Sequence, residues 1–262
     1  MPRLILLGTS NAIPDESHEN THMALVGGDG VVLIDCVGTP KVRLAQAGIA
    51  LDSITDLILT HFHPDHVSGV PLLLMNMWLM GRQRSLRVYG LHHCLERVED
   101  MMGFYHWENW PDFFQVAFHR LPERERVLVL EKPEFRIYSS PVRHLVPTIG
   151  LRLEATAGES VIAYSCDTEP TPAVVRLEDA HLLFAAETRV EREDFRAGRV
   201  MLAEQLGRLA DFTLAAEENQ RVAGAVGFPE FVNGIEDSLL HEQVFFIRVF
   251  RFERPIADFH GI

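Results

Sequence analysis

A histidine-rich stretch directly after an apolar run constrains this chain more than any other feature. The stretch THFHPDH, residues 60–66, follows the run DLIL, residues 56–59, which is typical of a buried strand. Its four side chains of metal-ligand type are His61, His63, Asp65 and His66. Because strand side chains alternate between two faces, we expect His61 and His63 to point the same way if the strand continues to Pro64. Asp65 and His66 then lie on a loop that enters a helix.

These ligand types favour a pair of metal ions. Two nitrogen ligands on one side, with a carboxylate and a third nitrogen one turn further on, suit two ions about 3.5–4 Å apart, the separation of two-metal hydrolases. Imidazole and carboxylate without thiolate fit Zn²⁺, with Mn²⁺ or Fe²⁺ as alternatives. The other explanation is a histidine-rich surface loop or core histidines with ordinary hydrogen bonds, and the HxHxDH spacing after a strand argues against it.

Further ligands must come from other parts of the chain. His144 follows a predicted strand and Asp167 ends another, and strand ends that face a common edge are where sites assemble. Otherwise His144 is a structural loop histidine and Asp167 a helix N-cap. Asp35, after the run VVLI, is expected to orient a metal-binding histidine or to be a plain turn residue. Cys166 would face away from Asp167 in an extended strand, so we do not count it as a ligand.

Composition and charge limit the class of protein. With 47% hydrophobic and 23% charged residues, the chain is expected to fold. Its net charge of −13 disfavours nonspecific binding to nucleic acid. Three widely spaced cysteines without a CxxC motif argue against a disulfide framework and fit a reducing cytoplasm. The apolar runs Leu4–Leu7 and Val70–Met80 are too short for a signal peptide and a membrane span, respectively, so we expect a cytoplasmic protein without membrane contact.

Strand patterns and helix patterns alternate along the chain without a linker or repeat, so residues 1–262 are expected to form a single domain. Ala24–Val26 and Val31–Ile34 flank Gly27-Gly28-Asp29-Gly30, which predicts a hairpin. The predicted helices are Lys41–Ala47, Gly69–Met80, Leu91–Met102 and Ala173–Leu177. Strands interleaved with helices predict an α/β (α+β) fold with two sheets in contact and helices outside them.

Together these residues resemble the metallo-β-lactamase superfamily, whose members share a four-layer αββα sandwich. The resemblance is carried by the HxHxDH stretch, the lone His144 and the aspartate Asp167. The opening LGTSNAIPDESHENTHMALV, with LIDC at 33–36 and YSCDT at 164–168, resembles the ribonuclease Z-like branch. The resemblance implies two zinc ions, bridged by Asp167. Their other ligands would be His61, His63 and His144 for one ion, and Asp65, His66 and a final histidine for the other.

Three departures from that branch affect the expected activity. The short interval between His144 and Asp167 leaves no room for the arm with which ribonuclease Z grips tRNA. Ala185 stands where the branch has a proton-donating histidine, and Glu187 is a misplaced substitute. The final histidine ligand is not found near Gly227, and residues 188–262 look unlike the family.

The resemblance implies a dinuclear zinc-dependent hydrolase, a phosphodiesterase of ribonuclease Z type in which Asp65 holds the nucleophile or accepts its proton. A small phosphodiester or ester is the expected substrate, and the net charge and missing arm disfavour nucleic acid. A lactone or thioester hydrolase is the second hypothesis. The third is an impaired, non-catalytic relative that acts as a binding protein, which Ala185 favours. Helices in the position of Gly69–Met80 form dimer contacts in ribonuclease Z-like proteins, so a homodimer is one expected state.

Overall fold

The architecture consists of two β-sheets packed face to face, with helices against the first. The computed structural model describes residues 2–16, 18–157 and 160–169, together with three later strands at 182–186, 213–216 and 248–250. The predicted helix Ala173–Leu177 lies outside the described residues.

The first sheet has seven strands in the order β12-β1-β2-β3-β4-β5-β6. These strands are β1 (Arg3–Gly8), β2 (His22–Gly27), β3 (Gly30–Ile34), β4 (Ile54–Ile58), β5 (Leu86–Leu91), β6 (Val116–Leu121) and β12 (Thr213–Ala216). The first three strands pair antiparallel, whereas β3, β4, β5 and β6 run parallel. The carboxyl ends of β3, β4 and β5 therefore meet at one edge of the sheet.

The second sheet has six strands in the order β13-β11-β10-β9-β8-β7. These strands are β7 (Val127–Glu131), β8 (Phe135–Val142), β9 (Thr148–Ala155), β10 (Val161–Asp167), β11 (Leu182–Ala186) and β13 (Arg248–Phe250). All neighbours pair antiparallel except β10 and β11, which are parallel.

In the part of the chain that the structure describes, four α-helices and two short 3-10 helices connect strands of the first sheet. The α-helices are α1 (Pro40–Gln46), α2 (Pro64–Val67), α3 (Val70–Leu79) and α4 (His92–Gly103), and the 3-10 helices are Leu51–Ser53 and Trp107–Asn109. Among the described residues, none of these helices is long and apolar enough to cross a bilayer.

Alternation along the strands of the first sheet builds two hydrophobic cores. Leu4 and Leu6 of β1 pack toward the second sheet, where Ile137 and Leu151 meet them. Ile5 and Leu7 point the other way and pack with residues of α1, α3 and α4. Complete burial of each such side chain contributes roughly 1.5–3 kcal/mol. The described residues form three layers, helices, sheet and sheet, and do not test the fourth, helical layer expected from the sequence.

Most predicted elements of the first half are confirmed. The glycine-rich turn joins β2 to β3, and Gly30 adopts a positive φ of 118°. The predicted helices at 41–47, 69–80 and 91–102 correspond to α1, α3 and α4 within a residue or two at each end. The aromatic residues near Trp110 pack in the helical layer, where Trp110 stacks on Trp78 with ring centroids 4.8 Å apart.

The expected strand through the histidine cluster is wrong. The strand β4 ends at Ile58, and the backbone N–H of Thr60 donates to the Oδ1 of Asp35 at 2.8 Å instead of continuing a ladder. The Thr60 carbonyl accepts from Ile149 of the second sheet. The predicted loop for Asp65 and His66 is also wrong, because both lie in α2, which Pro64 begins with its preset φ.

Candidate metal centre

The ligand-type residues come together where strand ends of both sheets meet. The stretch carrying His61 and His63 follows β4, and Asp65 and His66 belong to α2 directly behind it. From the second sheet, His144 comes two residues after β8, and Asp167 is the last residue of β10. All six predicted site residues therefore lie at one edge of the molecule, although they come from four separate elements and loops.

Three imidazole nitrogens face one another in the first group of side chains. His63 Nδ1 lies 3.0 Å from His61 Nε2 and 3.1 Å from His144 Nε2. The Oδ2 of Asp167 is 4.0 Å from His61 Nε2 and 3.8 Å from His144 Nε2. Nitrogen lone pairs and a carboxylate that converge in this way form the donor set expected around a divalent transition metal.

The second group adjoins the first and shares Asp167 with it. The Nε2 of His66 lies 3.6 Å from the Oδ2 of Asp65 and 3.6 Å from the Oδ1 of Asp167. Within each group, the ligand atoms lie within 4.8 Å of one another. The two carboxylate oxygens of Asp167 thus face different groups, and this donor set also fits a divalent cation.

Burial and neighbouring charges distinguish the histidines electrostatically. Burial, together with His66, His63 and His144, lowers the pKa of His61 and favours the neutral imidazole that can donate a lone pair to a metal. Burial also opposes charge on His66, but Asp35 and Asp167 outweigh it and raise the pKa of His66 to about 10. The pKa of Asp167 is lowered because hydrogen bonding and the charges of His66 and His144 exceed the effect of burial. The carboxylates around His66 therefore favour a positive charge in this place.

Asp35 contacts His66 of the second group on the ring nitrogen opposite its ligand atom. It thus takes one of the two roles expected for it, that of orienting a histidine. Its Oδ2 lies 2.8 Å from His66 Nδ1, and the carboxylate also accepts the hydroxyl and backbone N–H of Thr60. The residue is fully buried. Thr60, the first residue of the THFHPDH stretch and not one of the predicted site residues, links this carboxylate to the His61 ring at 3.2 Å. A threonine after a strand is common, so its identity carried no signal.

The expectation that Cys166 faces away from the site is wrong. Its φ is +56° and the pairing of β10 with β11 shifts register between Tyr164 and Asp167, so the strand is not extended at this residue. The simple alternation of faces therefore fails, and Cys166 Sγ lies 3.6 Å from the Nδ1 of His61. Burial, Asp167 and Asp35 raise the pKa of the thiol, which favours its neutral form.

Some of the other residues of interest lie among the described residues, and others do not. His93, the second residue of α4, lies close enough to the site to interact electrostatically with His63. Burial and the charges of Arg97 and His63 lower its pKa. Ala185 lies in β11. Glu187, the misplaced substitute for the proton-donating histidine, and Gly227, near which the final histidine ligand was expected, lie outside the described residues.

Comparison with known proteins identifies the family. The family model described as Anti-Pycsar protein Apyc1 matches residues 2–191, well over half of the chain. The chain belongs to this family. The match to the Apyc1 family model ends at residue 191, close to residue 188, after which the sequence was expected to look unlike the ribonuclease Z-like branch.

This member of the Apyc1 family is similar in sequence to ribonucleases Z, the branch that the sequence motifs resemble. The ribonuclease Z of Methanothermobacter thermautotrophicus is 30% identical over 152 residues, which are 56% of this chain and 46% of that protein. The chain therefore spans about half the length of the curated relatives it matches.

Two crystal structures show the fold. The short form of human tRNase Z superposes with a TM-score of 0.59 at 17% identity, covering 90% of this chain and 88% of the human one. The metallo-β-lactamase fold protein YhfI of Bacillus subtilis has a TM-score of 0.57 at 18% identity, covering 70% and 69% of the two chains. The two packed sheets described above are thus those of the metallo-β-lactamase fold.

Proposed function

We propose that this protein is a dinuclear zinc-dependent phosphodiesterase. The observation that carries the proposal is the position of Asp167, whose two carboxylate oxygens face two adjacent groups of ligand-type side chains. One carboxylate between two such groups suits a pair of ions, and paired ions are used by hydrolases that cleave phosphate esters. The ligand set without thiolate favours zinc, with manganese or iron as alternatives.

The substrate class is inferred from the relatives and from charge. The curated relatives are named ribonucleases, so the bond they cleave is a phosphodiester. A net charge of −13 would repel an extended nucleic acid, and the sequence has no room for the tRNA-gripping arm between His144 and Asp167. A small phosphodiester fits these features better than tRNA does.

Different residues of the chain would carry out different parts of the reaction. A bound pair of divalent ions supplies a nucleophile from water at neutral pH and offsets charge on phosphoryl oxygens. Asp65 is partly exposed, and its Oδ2 lies 3.6 Å from His66 Nε2, so it can orient the attacking water and accept its proton. His63 and His144 are also partly exposed and border the solvent side where a substrate would enter. Ala185 cannot protonate the leaving oxygen.

Metal content tests the site. The purified full chain should contain two equivalents of zinc, and Asp167→Asn should lose most of both because the amide carries no charge and offers one oxygen. Glu131→Gln, which neutralises an exposed carboxylate on β7, is the matched control and should retain both equivalents. Both would be measured by elemental analysis after dialysis. Retention of two equivalents by Asp167→Asn would contradict the bridging role, and a metal-free wild type would favour the binding-protein hypothesis.

Leaving-group dependence tests the chemistry. Without a histidine at position 185, hydrolysis should be slow for an unactivated dinucleotide and faster for an aryl phosphodiester, whose leaving group needs no proton. Zinc removal with a chelator should abolish both activities, and zinc addition should restore them. Equal rates for the two diesters would contradict the missing donor, and activity confined to a lactone or thioester panel would overturn the phosphodiesterase assignment. The expected homodimer stays a prediction, which analytical ultracentrifugation would test; the exposed Leu79 of α3 and Met80 directly after it offer apolar surface for such a contact.

A further inference from the structure

Cys166 adopts a backbone conformation that residues with a side chain rarely use. Its φ of +56° lies in the left-handed region that favours glycine, yet the residue is fully buried within β10. Such conformations are strained in residues other than glycine and cluster at functional sites. A glycine would relieve the strain at Cys166, so the thiol needs an explanation of its own.

The thiol contacts the side of the His61 ring that faces away from the ligand cluster. Nε2 of His61 points to the cluster, 3.0 Å from His63 Nδ1, and Nδ1 points back toward Cys166 Sγ at 3.6 Å. The hydroxyl of Thr60 lies 3.2 Å from the same Nδ1 and donates its own proton to Asp35. A sulfur and an oxygen therefore flank the Nδ1 proton that His61 carries when Nε2 binds a metal.

We propose that Cys166 is a positioning residue for His61, whose sulfur accepts from the Nδ1–H and helps to hold the ring with Nε2 toward the metal centre. The inference rests on the proposed function in so far as His61 binds a metal. A ligating histidine ordinarily donates its second N–H to a supporting group, and loss of that group weakens metal binding. In this arrangement, Cys166 supports a ligand and is not itself one.

Three substitutions of Cys166 separate the contact from the backbone strain. Cys166→Ala removes the sulfur and keeps the left-handed backbone, whereas Cys166→Gly removes both the sulfur and the strain. Both should bind zinc about tenfold more weakly than the wild type in competition with a chromophoric chelator. Cys166→Ser keeps an acceptor near Nδ1 and should bind zinc more tightly than Cys166→Ala. In metal-free protein, Cys166→Gly should melt at a higher temperature than Cys166→Ala.

A second buried thiol provides the matched control. Cys94 lies in α4 within the helix-side core, so Cys94→Ala should lower the melting temperature and leave zinc affinity unchanged. Wild-type zinc affinity in both Cys166→Ala and Cys166→Gly would overturn the proposal. Loss in Cys166→Ala of a thiolate-to-cobalt charge-transfer band from the cobalt-loaded protein would also overturn it, because Cys166 would then be a ligand. Failure of the wild-type chain to bind zinc would instead remove the proposed function and this inference with it.

Discussion

Asp35 shows how one buried carboxylate can organise two groups of ligands. It accepts the backbone N–H and hydroxyl of Thr60 and contacts the Nδ1 of His66 at 2.8 Å. Through Thr60 it also reaches the His61 ring. A single side chain therefore restrains one histidine of each group, and neither histidine can rotate freely behind its ligand nitrogen.

Replacing Asp35 with asparagine should weaken metal binding without removing any ligand. Asp35→Asn keeps the shape of the side chain but loses the charge, so we expect zinc affinity to fall about 10- to 100-fold. The metal-free protein should lose about 1–3 kcal/mol of unfolding free energy because a buried network loses an acceptor. Chelator competition and urea unfolding measure the two effects. Asp29→Asn, in the exposed hairpin turn, should change neither, and an unaltered zinc affinity in Asp35→Asn would contradict the argument.

At the scale of elements, the position of α2 depends on a backbone contact with the end of β3. The N–H of Cys36 donates to the His66 carbonyl, and the N–H of Gly69 donates to the Cys36 carbonyl, both at 2.9 Å. A Cβ at Gly69 would lie 2.7 Å from the carbonyl carbon and oxygen of Val37, which is closer than such atoms approach. The helix that carries Asp65 and His66 can therefore sit against β3 only because residue 69 lacks a side chain.

A methyl group at residue 69 should therefore move α2 away from the centre. We expect Gly69→Ala to cost about 1–3 kcal/mol of unfolding free energy and to reduce the bound zinc from two equivalents toward one, since Asp65 and His66 would shift. Gly103→Ala is the matched control, because a Cβ at Gly103 meets no atom within 4 Å. It should leave zinc content unchanged and stabilise α4 by up to about 1 kcal/mol. Full zinc content in Gly69→Ala would show that the clash is relieved without movement of α2.

At the scale of the whole molecule, an ion cluster around a buried carboxylate ties the two sheets together. Asp56 of β4 is fully buried, and its carboxylate lies 2.7 Å from Arg87 Nε of β5 and 3.0 Å from Lys132 Nζ. Lys132 directly follows β7, so this contact crosses from the first sheet to the second. Loss of the Asp56 charge leaves the largely buried Lys132 without its counter-charge, which costs more than loss of a surface pair, whereas Arg87, whose side chain is 44% exposed, can turn to water.

Asp56→Asn should therefore destabilise the fold by about 1–3 kcal/mol, because the largely buried Lys132 loses its counter-charge. Urea unfolding at neutral pH would measure the difference. The comparison is Glu131→Gln, which breaks an ion pair with Arg136 whose two side chains are 50% and 46% exposed. That change should cost no more than about 1 kcal/mol. Similar losses in the two variants would mean that the inter-sheet contact contributes little beyond an ordinary surface pair.

Local sequence patterns were sufficient to predict many of the strands and helices of this molecule. Short apolar runs predicted many of the strands, helical spacing of apolar residues predicted α4, and the glycines before Val31 predicted a hairpin. The spacing of the HxHxDH stretch also located four ligand-type residues without any structure. These predictions succeed because each depends on residues that are neighbours along the chain, where periodicity and turn chemistry act directly.

Only the tertiary structure decided where the side chains of this centre point. His61 and His63 meet although β4 ends at Ile58, because Asp35 and β9 capture the backbone of Thr60. Cys166 turns toward His61 although an extended strand would have turned it away. The sequence determined which chemical groups are available and in which elements they begin. Long-range hydrogen bonds determined their orientation, because the partners are far apart in the chain: Asp35 and Thr60 meet only when β3 pairs with β4, and Cys166 and His61 only when the two sheets pack.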